Sequence, residues 1–431
     1  MRTFPSPRVT GSIALALTAA VVITGCSRSD DTGSAGAAGD VTDGPATGDL
    51  TVWADSVDAE PLAALVDAFE EENPDVTVDL VNVPYDDYTT RLSTAISGGT
   101  VPDMAFIGSQ SLPGMFATGA FESVPDGLVD ESAFYAGALE AVQYDDTTYG
   151  VPISVETRPF LYRADLAETA GVEAPSTWED YVPFAKALES AGATKGMRIE
   201  TGEEGSTSIV MAGMIWQAGG EMLSEDGSEW TFDTPEVIEA FETYGSFFEE
   251  DIAPNPGPEW GTIDAGFVNG DFGSYITGAW SFGFADEIGG EGWSDENVGV
   301  SVLPEGPGGN SASLLDGKAA TVFADGENTD AAWKFAQFMA DVDTQGMWFE
   351  ESGVLPAVEA AMDLPVIADE PLLSAFSDQL AEARPAPAVT TWSEIATEIQ
   401  AAAERVSSGS MSAADSVAEL QSRADSIGVG E

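Results

Sequence analysis

The sequence predicts an α/β protein, and three observations predict it. Short apolar strands alternate with amphipathic helices over residues 50–107, Gly, Pro and Asn-Pro signals punctuate that alternation, and 431 residues of 43% hydrophobic composition suffice for two domains rather than one.

The elements follow in chain order. Arg2 and Arg8 flank the start of an apolar run over residues 9–23 that closes in Ile23-Thr24-Gly25-Cys26. The run is short for a membrane span and reads as a signal peptide over residues 1–25. Its last four residues resemble the bacterial lipobox, which implies that Cys26 is acylated and becomes the mature N-terminus. Residues 26–48 are rich in Gly, Ser, Asp and Ala without apolar periodicity, so they read as a flexible tether.

Leu50-Thr51-Val52-Trp53 makes a strand. Leu62, Leu65, Val66 and Phe69 fall at helical spacing between Pro61 and the Asn73-Pro74 stop, and Val76, Val78, Leu80 and Val83 make a second strand. Tyr88, Leu92 and Ile96 mark a helix ended by Gly98-Gly99, before the strand Met104-Ala105-Phe106-Ile107. This is the grammar of a parallel sheet covered by helices. Ligands gather beyond the carboxyl ends of such strands, which selects Asp55 and Ser56, then Ser109 and Gln110. Helical stretches follow around residues 178–188, 210–216, 237–248, 331–339, 392–406 and 412–427, the last with Ser412 and Asp415 as a capping pair. Residues 341–352 partly mimic a calcium loop, but the twelfth position is Ser352 rather than Glu, so residues 341–346 read as a helix-to-helix turn and no metal is expected.

Composition excludes several functions. With 75 acidic against 14 basic residues the net charge is -61, spread along the chain, which argues against nucleic acid and reads as a solvated acidic surface suited to high salt. The chain has no histidine and one cysteine, Cys26. A Ser-His-Asp or Cys-His site, the usual zinc and haem ligations and an internal disulfide are therefore ruled out.

The order of segments resembles the family 1 extracellular solute-binding proteins, which include the maltodextrin-binding proteins. The resemblance rests on Trp53 and the helix ending Phe69-Glu70-Glu71-Glu72-Asn73-Pro74, on Gly98-Gly99-Thr100-Val101-Pro102-Asp103-Met104, on Gly119-Ala120-Phe121, and on Tyr149-Gly150-Val151-Pro152-Ile153. It continues through Tyr162-Arg163-Ala164-Asp165, where Arg163 replaces the usual Asn, and Pro175-Ser176-Thr177-Trp178. Gly278-Ala279-Trp280, Ala331-Ala332-Trp333-Lys334-Phe335, and Arg384-Pro385 followed by Trp392 complete it. Each motif is weak alone; their collinear order is specific.

The resemblance implies a two-lobed periplasmic-binding-protein type II fold, with three inter-lobe crossings near residues 154–158, 313–317 and 353–357. The lobes would then comprise 49–155 with 316–355, and 156–315 with 356–431, closing by a hinge. It implies a lipid-anchored, monomeric sugar binder at the outer face of the cell membrane, serving the transmembrane subunits of an ABC permease, without cofactor or catalysis. Sugars need flat apolar platforms for their C–H faces and polar groups for their hydroxyls. The platforms implied are Trp280, Trp392 and Trp216; Glu156 in the first crossing, Arg158 and Arg384 are the polar partners, beside the strand-end residues above. Ile107 stands where maltodextrin binders place an aromatic, so long maltodextrins are not implied. Two alternatives stay open: a binder of another solute such as a polyamine, peptide or phosphodiester, with an acidic cleft lacking Trp platforms pointing to a cationic ligand, and a secreted glycosidase, which needs a carboxylate pair across the cleft.

Overall fold

A computed structural model of the protein describes residues 41–201, 206–259 and 261–430. The signal peptide, Cys26 and most of the tether lie outside the described residues. The tether is shorter than its composition suggests: Ala46 is fully buried and its N–H donates to Asn73, while the Thr42 N–H donates to Asp330 and Lys334 reaches the Thr42 hydroxyl. A Gly-, Pro- and Ala-rich composition hides a segment whose order comes from hydrogen bonds to distant residues.

From there the alternation read from the sequence holds. Strand Thr47–Asp55 leads into helix Ala59–Glu72, strand Asp75–Val83, helix Tyr88–Gly98 and strand Met104–Gly108, and the three strands are parallel. Helix Ala59–Glu72 buries Leu62, Leu65, Val66 and Phe69 at the predicted spacing, with Phe69 packed on Phe335 and Phe338 at ring-centroid distances of 4.9 and 5.4 Å. Each such side chain contributes on the order of 2 kcal/mol by leaving water. The second helix ends where Gly99 takes the left-handed conformation.

The sheet is completed by segments remote in sequence. The ten-residue strand Ser313–Val322 runs antiparallel to Met104–Gly108 on one side and to Gly150–Glu156 on the other, and its first residues pair in parallel with Ala383–Pro385. A second sheet has Phe160–Arg163 at its centre, antiparallel to both Ser274–Ile276 and Val298–Ser301. Its surrounding core is built on helix Ser206–Gln217, in which every residue from Thr207 to Gln217 is buried, together with helices Pro235–Glu249, Trp392–Ser407 and Ala413–Ile427. Ser412 caps the last helix through the Asp415 N–H, as the sequence predicts. Residues 341–346 do not form a turn between helices. Asp341 is itself an N-cap, and the helix Val342–Ser352 begins on it.

The three stretches expected to join the lobes lie side by side. Glu156 is the cross-strand partner of Asp316, Ser154 bridges Pro356, and the Val155 N–H donates to Leu355 O at 3.0 Å. The Thr157 and Ser313 hydroxyls are 2.7 Å apart. Gly317 sits at φ +150°, where a Cβ would lie 2.2 Å from Ser154 O, so only glycine allows the strands this approach.

Candidate functional site

Around these strands the predicted site residues fall into three groups. The first is a charged floor at the carboxyl ends of the parallel strands. Asp55 ends Thr47–Asp55 and is buried; its Oδ2 accepts from Lys318 Nζ at 2.6 Å, and its Oδ1 accepts from the N–H groups of Val57 and Asp58. Asp58 takes a second bond from the same ammonium. Burial opposes the charge of Lys318, but Asp58 and Asp55 outweigh it and hold the amine above the usual lysine range; burial raises Asp58 against the pull of Lys318. Beside them Asp316 accepts from Ser109 Oγ at 2.7 Å, Gln110 Nε2 at 2.8 Å and the Gly317 N–H at 2.9 Å. Asp55, Ser109 and Gln110, which the strand-end rule selects, therefore lie together with Lys318 and Asp316. In this structure Asp55 is held by Lys318 and by two backbone N–H groups, while Ser109 Oγ and Gln110 Nε2 donate to Asp316.

Ser56 is exposed, and its hydroxyl accepts the Tyr85 N–H. Tyr85 follows the strand Asp75–Val83 and is 61% exposed. Partial burial raises the pKa of its phenol; Lys318 opposes that shift, and the carboxylates of Asp316, Glu156 and Asp55 add to it. Tyr85, Asp316 and Lys318 were missed in the sequence. Tyr85 obeys the same strand-end rule as Asp55, and Lys318 is one of only four lysines.

The second group lies on the first of the stretches expected to join the lobes and beside the third. Glu156 is half-buried, has no hydrogen-bond partner among the described residues, and is raised to about 7, first by burial and then by Asp316, against Lys318 and Arg158, with Asp58 adding to the rise. Two residues on, Arg158 has a buried Nε without a partner and lays its guanidinium over Trp280, 5.6 Å from the ring centroid. Among the described residues only Arg158 and Arg91 form no ion pair, in a chain of 75 acids. Arg91 is exposed over Trp53, whereas Arg158 is half-buried at the crossing. Trp280 opens helix Trp280–Gly289 and is half-buried; its ring occupies the space a Cβ on Gly278 would need, and its Cα lies 3.5 Å from where a Cβ on Gly353 would sit. Glu156, Arg158 and Trp280 thus lie close to one another, beside Gly353.

The third group corrects the sequence reading. Trp392 is 1% exposed, tilted against Trp230 within the core of the second lobe, and its helix turns Ile395 and Ile399 inward with it. No sugar reaches that ring. Trp216 is 4% exposed on the all-buried helix, and the guanidinium of Arg384 stands 4.7 Å from its ring centroid. Arg384 in turn holds Glu221 with both terminal nitrogens. These residues meet one another rather than the second group, because a Trp at a helix face toward the core reads in sequence just like one toward a cleft. Arg163 is structural as well, bound to Asp165 and to the Phe267 and Val268 carbonyls. No group of three or more His, Cys, Asp or Glu among the described residues is placed to hold a metal, and none of the described helices is long and apolar enough to cross a membrane.

An α/β body with Arg158 and Glu156 outside any ion pair or side-chain hydrogen bond of the described residues, beside the half-buried Trp280, offers groups that a ligand could use. Comparison with known proteins identifies the family. The sequence profile of the bacterial extracellular solute-binding protein family matches residues 64–375, and the chain belongs to that family. It is 28% identical over 335 residues to a putative binding protein of Brucella abortus, covering 76% of this chain and 80% of that one. It is 24% identical over 369 residues to the galactooligosaccharide-binding protein of Bacillus subtilis, covering 84% and 85%. The structure of the sugar-binding protein MalE from Xanthomonas citri superposes with a TM-score of 0.79 at 26% identity, covering 88% of this chain and 97% of that one. The fold is accordingly the two-lobed one of the periplasmic binding proteins.

Proposed function

We propose that the chain is the substrate-binding component of an ABC importer, capturing a sugar or oligosaccharide between its lobes and delivering it unaltered to a membrane permease. The observation that carries this reading is the hinge group. Arg158 offers donors and Glu156 acceptors that no protein group uses, beside the half-buried indole of Trp280. A polyhydroxylated ring satisfies all three, accepting from the guanidinium, donating to the carboxylate and laying C–H bonds on the indole. A polyamine would leave Arg158 without an acceptor. The relatives that bind galactooligosaccharides and other sugars support the same choice.

The lobes join at residues 155–156, 315–316 and 355–356 in this reading, and Cys26 carries the lipid that holds a monomer at the outer membrane face. Calorimetric titration of the purified protein against carbohydrates, polyamines and peptides tests the substrate class. One carbohydrate should bind at one-to-one stoichiometry, with no product formed and a raised melting temperature through mass action. Binding of amines or peptides with no response to any carbohydrate would overturn it.

A further inference from the structure

Asp316 decides what its neighbours on the floor can offer. Its Oδ1 accepts from Ser109 Oγ at 2.7 Å and from the Gly317 N–H at 2.9 Å, and its Oδ2 from Gln110 Nε2 at 2.8 Å. A carboxylate can only accept. The Ser109 proton is therefore spent on it, and Gln110 must turn its nitrogen rather than its oxygen toward it. What these two half-buried side chains keep is mainly acceptor capacity: the lone pairs of the Ser109 hydroxyl and the Gln110 Oε1, to which no described residue donates, against one remaining Nε2 proton.

The arrangement is held from two sides. Gly317, whose N–H binds Oδ1, sits at φ +150° in an approach to Ser154 O that no Cβ tolerates. Ser393, at the start of helix Trp392–Ser407, donates to Gln110 O at 3.4 Å, so a helix of the second core reaches the same turn. Neighbouring groups continue the polarity. Glu156, the cross-strand partner of Asp316, adds a carboxyl group that receives no hydrogen bond from a described residue. Lys318 gives two of its three protons to Asp55 and Asp58. Around Asp316 acceptors are abundant and donors scarce, while the uncommitted donor of the site, Arg158, stands over Trp280.

We infer that Asp316 is a positioning residue that sets ligand specificity: by fixing Ser109 and Gln110 as acceptors, it makes the floor take the donating hydroxyls of a neutral sugar and refuse a sugar that brings a carboxylate to the same place. There a carboxylate would set acceptor against acceptor, and both would lose their bonds to water. The inference rests on the carbohydrate reading given above and narrows it to saccharides that are not acidic.

Paired titrations test it. Galactobiose, maltose and cellobiose are each measured beside their 6-carboxylate counterparts, on the full chain and on its Asp316→Asn and Gln110→Met variants. The titrations are run in 1 M NaCl, where the screening length is about 3 Å and the general repulsion of anions by an acidic protein is suppressed. The wild type should bind a neutral disaccharide and prefer it to its carboxylate by roughly tenfold or more. In Asp316→Asn the new amide can donate to Gln110, whose carboxamide then turns over and frees its nitrogen, so the preference should shrink roughly three- to tenfold. Gln110→Met removes the amide without altering the strand and should shrink it as well, by weakening the neutral sugar alone. Circular dichroism and melting temperatures check that both variants are folded. Equal binding of the two forms by the wild type, or a preference that survives both substitutions unchanged, overturns the inference and leaves the carbohydrate reading standing. Failure of all three neutral sugars to bind the wild type overturns the inference, and the wider carbohydrate panel then decides the broader reading.

Discussion

Glu156 is where a single residue joins stability to binding. The folded protein keeps its proton up to about 7, whereas a free glutamate releases it near 4.5. Between those values the native state binds more protons than the unfolded chain, so this group's contribution to stability falls as pH rises through the window. Glu156→Gln keeps the neutral form at every pH. Its melting temperature should therefore match the wild type near pH 4 and exceed it from about pH 7 upward; a gap that stays constant across that range in scanning calorimetry would refute the assignment. The same variant should weaken sugar capture, since an amide replaces the carboxylate that accepts hydroxyls. Trp280→Ala should cost more. Loss of a stacking indole at the centre of a site is worth about 1–3 kcal/mol, a roughly ten- to hundredfold rise in Kd by titration, with the fold retained because the ring is half-buried.

At the scale of elements, strand Ser313–Val322 ties the molecule together, and Lys318 ties the strand to the first lobe. Lys318→Met leaves the carboxylates of Asp55 and Asp58 buried without their counter-ion, at a cost of about 3–5 kcal/mol. Urea denaturation should show that loss, and adding Asp55→Asn with Asp58→Asn should recover much of it; a single variant as stable as the wild type would show that the triad is solvated. This strand also marks the boundary of what the sequence discloses. The local alternation from Leu50 to Ile107 was legible because each helix and strand carries its own period and its own stop, and Gly99 and Ser412 behave as their residue types dictate. The antiparallel insertion of Ser313–Val322 between Met104–Gly108 and Gly150–Glu156 was not legible in the residues of the strand, since its partners lie more than 150 positions away and no periodicity encodes a remote register. The candidate site divides along the same line. Glu156, Arg158 and Trp280 could be singled out because they sit in or beside local motifs, and the structure brings them near one another. Trp392 and Trp216 misled because burial of an indole depends on which face of a helix meets the core, and Asp316 and Lys318 were overlooked because their importance is a matter of pairing across the sheet.

For the whole molecule the governing quantity is a net charge of -61. The cations that remain are nearly all committed: Lys186, Lys195, Lys334, Arg405 and Arg423 each lie within 4.0 Å of a single acid. Most carboxylates therefore face one another across water, and folding brings them closer than they are in the extended chain, so self-repulsion opposes the compact state. Salt acts on this term directly. The screening length falls from about 30 Å at 0.01 M to about 10 Å at 0.1 M and 3 Å at 1 M, so repulsion between surface acids is largely removed by the first few tenths molar. The exposed ion pairs are also screened, but each is worth about 1 kcal/mol or less, and there are far fewer of them than unpaired acids. Repulsion should win. The melting temperature should rise steeply with NaCl from low ionic strength and flatten toward molar concentrations, and the denaturant slope should stay constant, because the surface exposed on unfolding does not change. A melting temperature that falls as NaCl is raised would mean that the paired cations dominate and that the acidic surface is no adaptation to salt.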